Sequence, residues 1–170
     1  MSAGLAGGSE TVQALEAWLA IPAQVEAAIE GLTEDALDVR RGPENMSARE
    51  TVHHLVEANL VASTIIIAGL GKTGCVYDWS WLYPDAAWMR RMGYDKAPVG
   101  PSIETLKALS AHIAGLIRGL PDGFSREVQL RDAPGAELYT KSVKDLLTQE
   151  VEHAREHLEP LMKARRRGRR

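Results

Sequence analysis

Apolar side chains recur every three to four positions over four long stretches of the chain, the spacing of helices that each bury one face. In the first, residues 10–32, Val12, Leu15, Leu19, Val25, Ala28 and Ile29 carry the pattern, and Pro22 is expected to split or kink it. Residues 33–46 follow as a loop, with turn chemistry at Gly42-Pro43-Glu44-Asn45. The second helix opens at Ser47, a good N-cap, with Glu50 three residues on to complete a capping box. It runs to about Ala68 and stops in Gly69-Leu70-Gly71. The third runs from Ser102, a cap whose partner position, Thr105, cannot complete a box, to Gly119 before Pro121. The fourth runs from about Ser142 to Ala164.

Two connections remain. Residues 73–101 hold Trp79, Trp81, Trp88, Tyr77, Tyr83 and Tyr94, so most of the tryptophan and tyrosine sits in one crossover. A connection of that length inside a domain is usually a lid or a packed cap. Pro84-Asp85 is expected to start a short helix through Arg91. Residues 124–139 alternate weakly at Val128 and Leu130 around Asp132-Ala133-Pro134-Gly135, the pattern of a short hairpin. No repeat of solenoid or propeller period occurs. The expected architecture is therefore an all-α bundle of four helices whose core can hold a site. It divides into a flexible N-terminus (1–9), one bundle domain (10–164) and a basic C-terminal tail (165–170).

Composition narrows the class without choosing a function. Of 170 residues, 45% are apolar and 25% charged, ordinary globular proportions. The longest apolar run, 61–70, is half of the roughly 20 residues a bilayer needs, so no membrane partner is expected. The first residues show neither a basic nor an apolar region of a signal peptide, and Cys75 alone permits no intrachain disulfide. Both fit a cytoplasmic protein. The net charge of −3 conceals Lys163, Arg165, Arg166, Arg167, Arg169 and Arg170, without which 14 basic residues face 23 acidic ones. An acidic body is a poor partner for nucleic acid, and the basic tail reads as a solvated helix end. Gly69-Leu-Gly-Lys-Thr73 imitates the end of a phosphate loop, but Ile66 stands where the pattern needs glycine and a helix precedes it.

The candidate chemistry lies in the histidines. His153 and His157 stand at i, i+4, so their rings leave one helix face a turn apart, a natural pincer for a divalent ion. Such pairs also occur on solvated surfaces, so their place on the helix decides. The apolar stripe of the fourth helix is Val143, Leu146, Leu147, Ala154, Leu158 and Leu161. His157 falls within about 50° of its centre, His153 at its margin and Glu150 almost at the centre. A carboxylate and imidazoles aimed at a core are costly unless paired or metal-bound. Glu150 is thus a candidate general base or an acceptor that orients an imidazole, with an ordinary helix-surface glutamate as the alternative. On the second helix His53 and His54 point about 100° apart, and periodicity does not choose between them because that helix is apolar nearly all round. Glu57 reads as a salt-bridge partner, His112 as structural, and Cys75 as no nucleophile.

The order of these features resembles the DinB/YfiT-like superfamily, most closely its YfiT-like branch. The resemblance rests on Met46-Ser-Ala-Arg-Glu-Thr-Val-His-His-Leu-Val-Glu, the crossover with Tyr83-Pro-Asp-Ala-Ala-Trp88, the approach Pro101-Ser-Ile-Glu-Thr-Leu, and a last helix with H-x-x-x-H-Leu. It covers about residues 10–163. It implies an up-up-down-down four-helix bundle with a long crossover between helices two and three, and three histidines binding one divalent metal, nickel or zinc. Carried over, the metal ligands are His54, which immediately precedes the leucine, with His153 and His157. Two positions depart from the pattern: Met46 replaces the usual tryptophan, and Val151, Glu152, Ala154 and Arg155 make the edge of the site more polar than is common.

The resemblance implies two reactions on a small-molecule substrate. One is metal-dependent S-transfer from a low-molecular-weight thiol of the bacillithiol or mycothiol type to a small electrophile. The other is hydrolysis by a metal-bound hydroxide. The rival of another class is a non-catalytic stress-response bundle, with homodimer formation as its use. The expected cofactor is the one divalent ion, with the low-molecular-weight thiol as a co-substrate.

Overall fold

A computed structural model describes residues 3–40, 42, 45–83 and 85–168 of the chain. Residues 1 and 2 of the expected N-terminal segment, Pro43 and Glu44 of the expected turn, Pro84 ahead of the short helix, and Arg169 and Arg170 of the basic tail lie outside the described residues. The elements in chain order are α1 (Ala3–Ile29), the single turn α2 (Glu34–Leu37), α3 (Ala48–Gly71), β1 (Cys75–Asp78), α4 (Asp85–Met92), α5 (Val99–Arg118), β2 (Glu127–Arg131), β3 (Tyr139–Ser142) and α6 (Val143–Gly168). The four long helices form the bundle. α1 packs on α5 and α6, and so does α3.

Local chemistry accounts for most boundaries. The capping box at the start of α3 is complete: the Glu50 N–H donates to the Ser47 hydroxyl and the Ser47 N–H to the Glu50 carboxylate. At the start of α6, the Asp145 N–H donates to Ser142 Oγ at 3.1 Å and the Ser142 N–H to the Asp145 carboxylate at 3.1 Å. Gly74, with φ +73°, takes the left-handed turn between α3 and β1. Two expected boundaries move. α1 runs unbroken through Pro22, because Ile21 and Val25 on either side are fully buried and packing outweighs the missing hydrogen bond. α5 opens at Val99, three residues before Ser102, and Ser102 turns its hydroxyl to α3 instead of capping a helix.

The core joins all four helices. Trp18, Ile21 and Val25 from α1 meet Val52, Leu55 and Ile66 from α3, Leu106, Ile113 and Ile117 from α5, and Leu147 and Leu158 from α6. The buried stripe of α1 is therefore rotated from the expected one: Trp18 and Ile21 are inside, while Val12 is 51% exposed. Helix α3 is long and apolar enough to cross a membrane by length and composition. The expectation from the run 61–70 did not extend to this, because His53, His54 and Asn59 shorten the apolar run without making the helix polar. Half of its apolar window is buried inside the bundle, as in a core helix.

Helix direction follows from side-chain contacts. Lys144 at the start of α6 pairs with Glu10 near the start of α1 at 2.7 Å, so those two helices run parallel. Arg126, just before β2, donates to the Leu70 carbonyl at the end of α3, and its own carbonyl accepts from the Val143 N–H at the start of α6, so α3 runs against α6. His53 of α3 meets Ser102 of α5 near the starts of both, so this pair is parallel. The directions read up, up, down, down when the bundle is walked around, α1–α6–α3–α5. Along the chain they read up, down, down, up. The long crossover joins two parallel neighbours, α3 and α5, so the reversals fall before α3 and after α5.

The bundle also carries a three-stranded sheet that the all-α expectation did not include. The hairpin β2–β3 forms where the alternation suggested one, pairing Val128 with Lys141 and Leu130 with Tyr139. β1 adds in parallel, with Cys75 opposite Val128 and Asp78 opposite Arg131. The crossover leaves α3 along this strand, passes through α4, and returns to the bundle through a short turn at Tyr94. It thereby roofs the face where α3 and α6 diverge.

Candidate metal centre

Three histidines converge between α3 and α6. His54 Nε2 and His153 Nε2 face each other at 3.0 Å. The ring centroids lie 4.9 Å apart for His54 and His153, 4.6 Å for His54 and His157, and 4.6 Å for His153 and His157. One nitrogen from each ring can be chosen so that all three lie within 4.8 Å of one another. A divalent ion with bonds of about 2.1 Å to nitrogen needs donors about 3.0–3.4 Å apart for octahedral to tetrahedral angles. The cluster fits such an ion after small side-chain adjustments. Neutral imidazole is also the donor expected for nickel or zinc.

The antiparallel run of α3 past α6 produces this meeting. His54 leaves α3 near its start, while His153 and His157 leave α6 on either side of its middle, and the end of α3 lies beside the start of α6, so opposite directions bring them level. The i, i+4 spacing keeps the α6 pair on one face. Glu150, one turn earlier, places its Oε2 3.7 Å from His153 Nδ1. The same Glu150 oxygen is buried with no hydrogen-bond partner.

The adjacent histidine does something else. The His53 ring is buried, stacked on Tyr94 with centroids 5.6 Å apart. Ala97 offers only a carbonyl, so His53 Nε2–H donates to it at 3.0 Å; in the neutral ring Nδ1 then accepts from the Ser102 hydroxyl at 2.9 Å. Both nitrogens are engaged away from the cluster. The turn of α3 thus separates the two histidines between α5 and α6. His112 lies exposed on α5, and Cys75 sits half-buried in β1, away from the cluster.

A cavity of about 540 Å³ opens beside the cluster, lined by His54 and His153 at one end and by the crossover above. Trp79, Trp81, Trp88 and Tyr94 from the crossover and Tyr139 from β3 form its aromatic wall. Glu57 was expected to serve as a salt-bridge partner. It lines the cavity instead, and its Oε2 accepts the indole N–H of Trp88 at 3.0 Å. Sequence reasoning missed it because its partner lies in the crossover, beyond any helical spacing; its position one turn from His54 was the available signal. Burial, with the Glu57 carboxylate nearby, pushes the Tyr94 phenol well above the ordinary tyrosine range, so it stays a hydroxyl. Burial likewise raises Tyr139, with Asp132 adding to the shift.

A helical bundle with imidazoles from two facing helices, open on one side to a roofed cavity, belongs to the class of bundle proteins with a metal-type donor set in the core. The family model of the DinB superfamily matches residues 17–161, and the chain belongs to that superfamily. No curated protein matches it. Among solved structures it is similar to YfiT from Bacillus subtilis, described as "a probable metal-dependent hydrolase with an unusual four-helix bundle topology". That likeness has a TM-score of 0.79 at 21% identity, over 93% of this chain and 87% of the other, and it is a likeness of fold.

Proposed function

We propose that this protein is a metal-dependent enzyme that transfers a small thiol to an electrophile, with His54, His153 and His157 holding one divalent ion. The observation that carries the reading is the convergence of three imidazoles, two of which line a cavity large enough for a nucleophile and a second molecule. A divalent ion held there supplies positive charge that favours the deprotonated form of a thiol or water beside it. Glu150 orients His153 and stands ready to take the proton released by the nucleophile. The thiolate sulfur then forms a bond to the electrophilic carbon, and the bond to the leaving group breaks with its electron pair. The tryptophans of the crossover keep bulk water from the reacting atoms. Hydrolysis is the second reading, supported by the description of the B. subtilis structure; water replaces the thiol and the same residues serve.

Metal analysis of the protein with any affinity tag removed tests both readings. The expected content is about one divalent ion per chain, lost in His54→Ala and in His153→Gln while the helical circular dichroism is kept. The metal-loaded protein is then assayed with a thiol and monochlorobimane, and separately with an activated ester. Thiol adduct without ester cleavage supports the transferase; ester cleavage alone supports the hydrolase. Wild-type protein that takes up no nickel or zinc overturns both and leaves a non-catalytic bundle.

A further inference from the structure

The cavity wall beyond the imidazoles carries charge of one sign. Glu57 and Glu150 lie along it, Glu152 and Glu156 stand exposed at its edge, and among the described lining residues there is no lysine or arginine. Three neutral imidazoles with a divalent ion still leave these four carboxylates two charges in excess. Facing them is π surface: Trp81 and Trp88 pack edge to face with centroids 5.0 Å apart. The bond from Trp88 to Glu57 holds an aromatic face and a carboxylate side by side. Independently, three buried polar atoms on this wall make no hydrogen bond, Glu150 Oε2, Trp79 Nε1 and, near the Glu57 carboxylate, the hydroxyl of Tyr94, a residue only 6% exposed. Buried polar groups are normally satisfied, so orphans around one cavity mark where a ligand's polar atoms go.

We propose that the cavity binds a substrate bearing an organic ammonium group on an apolar body of about the size of one aromatic ring. The ammonium N–H groups reach the Glu57 and Glu150 carboxylates, the Tyr94 hydroxyl takes a remaining polar contact, and the cation rests against the tryptophan faces. Anionic molecules are repelled from the same space. This inference rests on the cavity being the substrate site of the metal-dependent enzyme, and it names the charge class of that substrate.

Titration with benzylammonium, benzyl alcohol and benzoate, read by tryptophan fluorescence and calorimetry, tests it on both chelator-treated and zinc-treated protein. Benzylammonium is expected to bind at one site at least about tenfold more tightly than benzyl alcohol, with no saturable binding of benzoate. Glu57→Gln is expected to weaken benzylammonium severalfold and leave benzyl alcohol unchanged; Glu152→Gln, at the exposed edge, does the same to a smaller degree. Equal binding of benzoate or benzyl alcohol, no binding of benzylammonium, or indifference of its binding to both substitutions overturns the inference. Ammonium selectivity in protein that takes up no metal leaves the inference standing and removes the enzyme reading. Metal uptake without charge selectivity does the reverse.

Discussion

Glu150 and Glu57 are both carboxylates on helices one turn from a histidine of the cluster, yet only one was legible in advance. Glu150 lies near the centre of the apolar stripe of α6, so periodicity alone pointed it inward. Glu57 lies on a helix that is apolar nearly all round, where periodicity carries no direction, and the same ambiguity left His53 and His54 unresolved until tertiary contacts separated them. Because Glu150 faces His153 Nδ1, Glu150→Gln is expected to weaken zinc binding by about ten- to a hundredfold, read by competition with a chromophoric chelator. Asp145 offers a second measurement at this scale. The Ser142 hydroxyl hydrogen-bonded to it holds its carboxyl below the usual aspartate range. A carboxyl lowered in the folded state contributes stability that is fully present above its unfolded pKa of about 3.9 and is lost as pH falls through the lower folded value. Asp145→Asn is therefore expected to lower the urea midpoint at pH 7 and leave it nearly unchanged at pH 2.

Among the elements, the helices were readable because caps and 3.6-residue spacing are local. The capping box at Ser47 and Glu50 and the Ser142 start of α6 stood in the sequence and in the fold at the same residues. β1 was not readable. Its partner β2 begins about fifty residues later, and Cys75–Asp78 alone has too few residues to show alternation. In the turn that leads from α5 into β2, a Cβ on Gly123 would stand 2.6 Å from the Ile117 carbonyl oxygen, the tightest such approach among the described glycines. Neither group is a flexible side-chain end, so the backbone would have to shift. Gly123→Ala is expected to destabilise by about 1–3 kcal/mol, measured by chemical denaturation, although the position is a glycine in an irregular segment where alanine is usually tolerated.

For the whole molecule, the bundle and the meeting of its three histidines were foreseeable from the order of motifs, while which helices become neighbours depends on where the crossover leads. The antiparallel pair α3 and α6 supplies all three imidazoles, so an ion bound there ties the two helices together. Zinc at about a hundredfold above its dissociation constant is expected to stabilise the fold by about 2.7 kcal/mol, seen as a rise in the thermal midpoint that His54→Ala abolishes. One arrangement has a mechanical outcome. His53 is fastened to Ala97, where the crossover rejoins the bundle, and the next residue along the same helical turn is His54. A pull on the crossover at that point is delivered through one peptide bond to a ring of the cluster. The Ala97 end of the roof is therefore held by the immediate neighbour of a cluster residue, so loosening there bears on His54 more directly than loosening at the exposed Trp81.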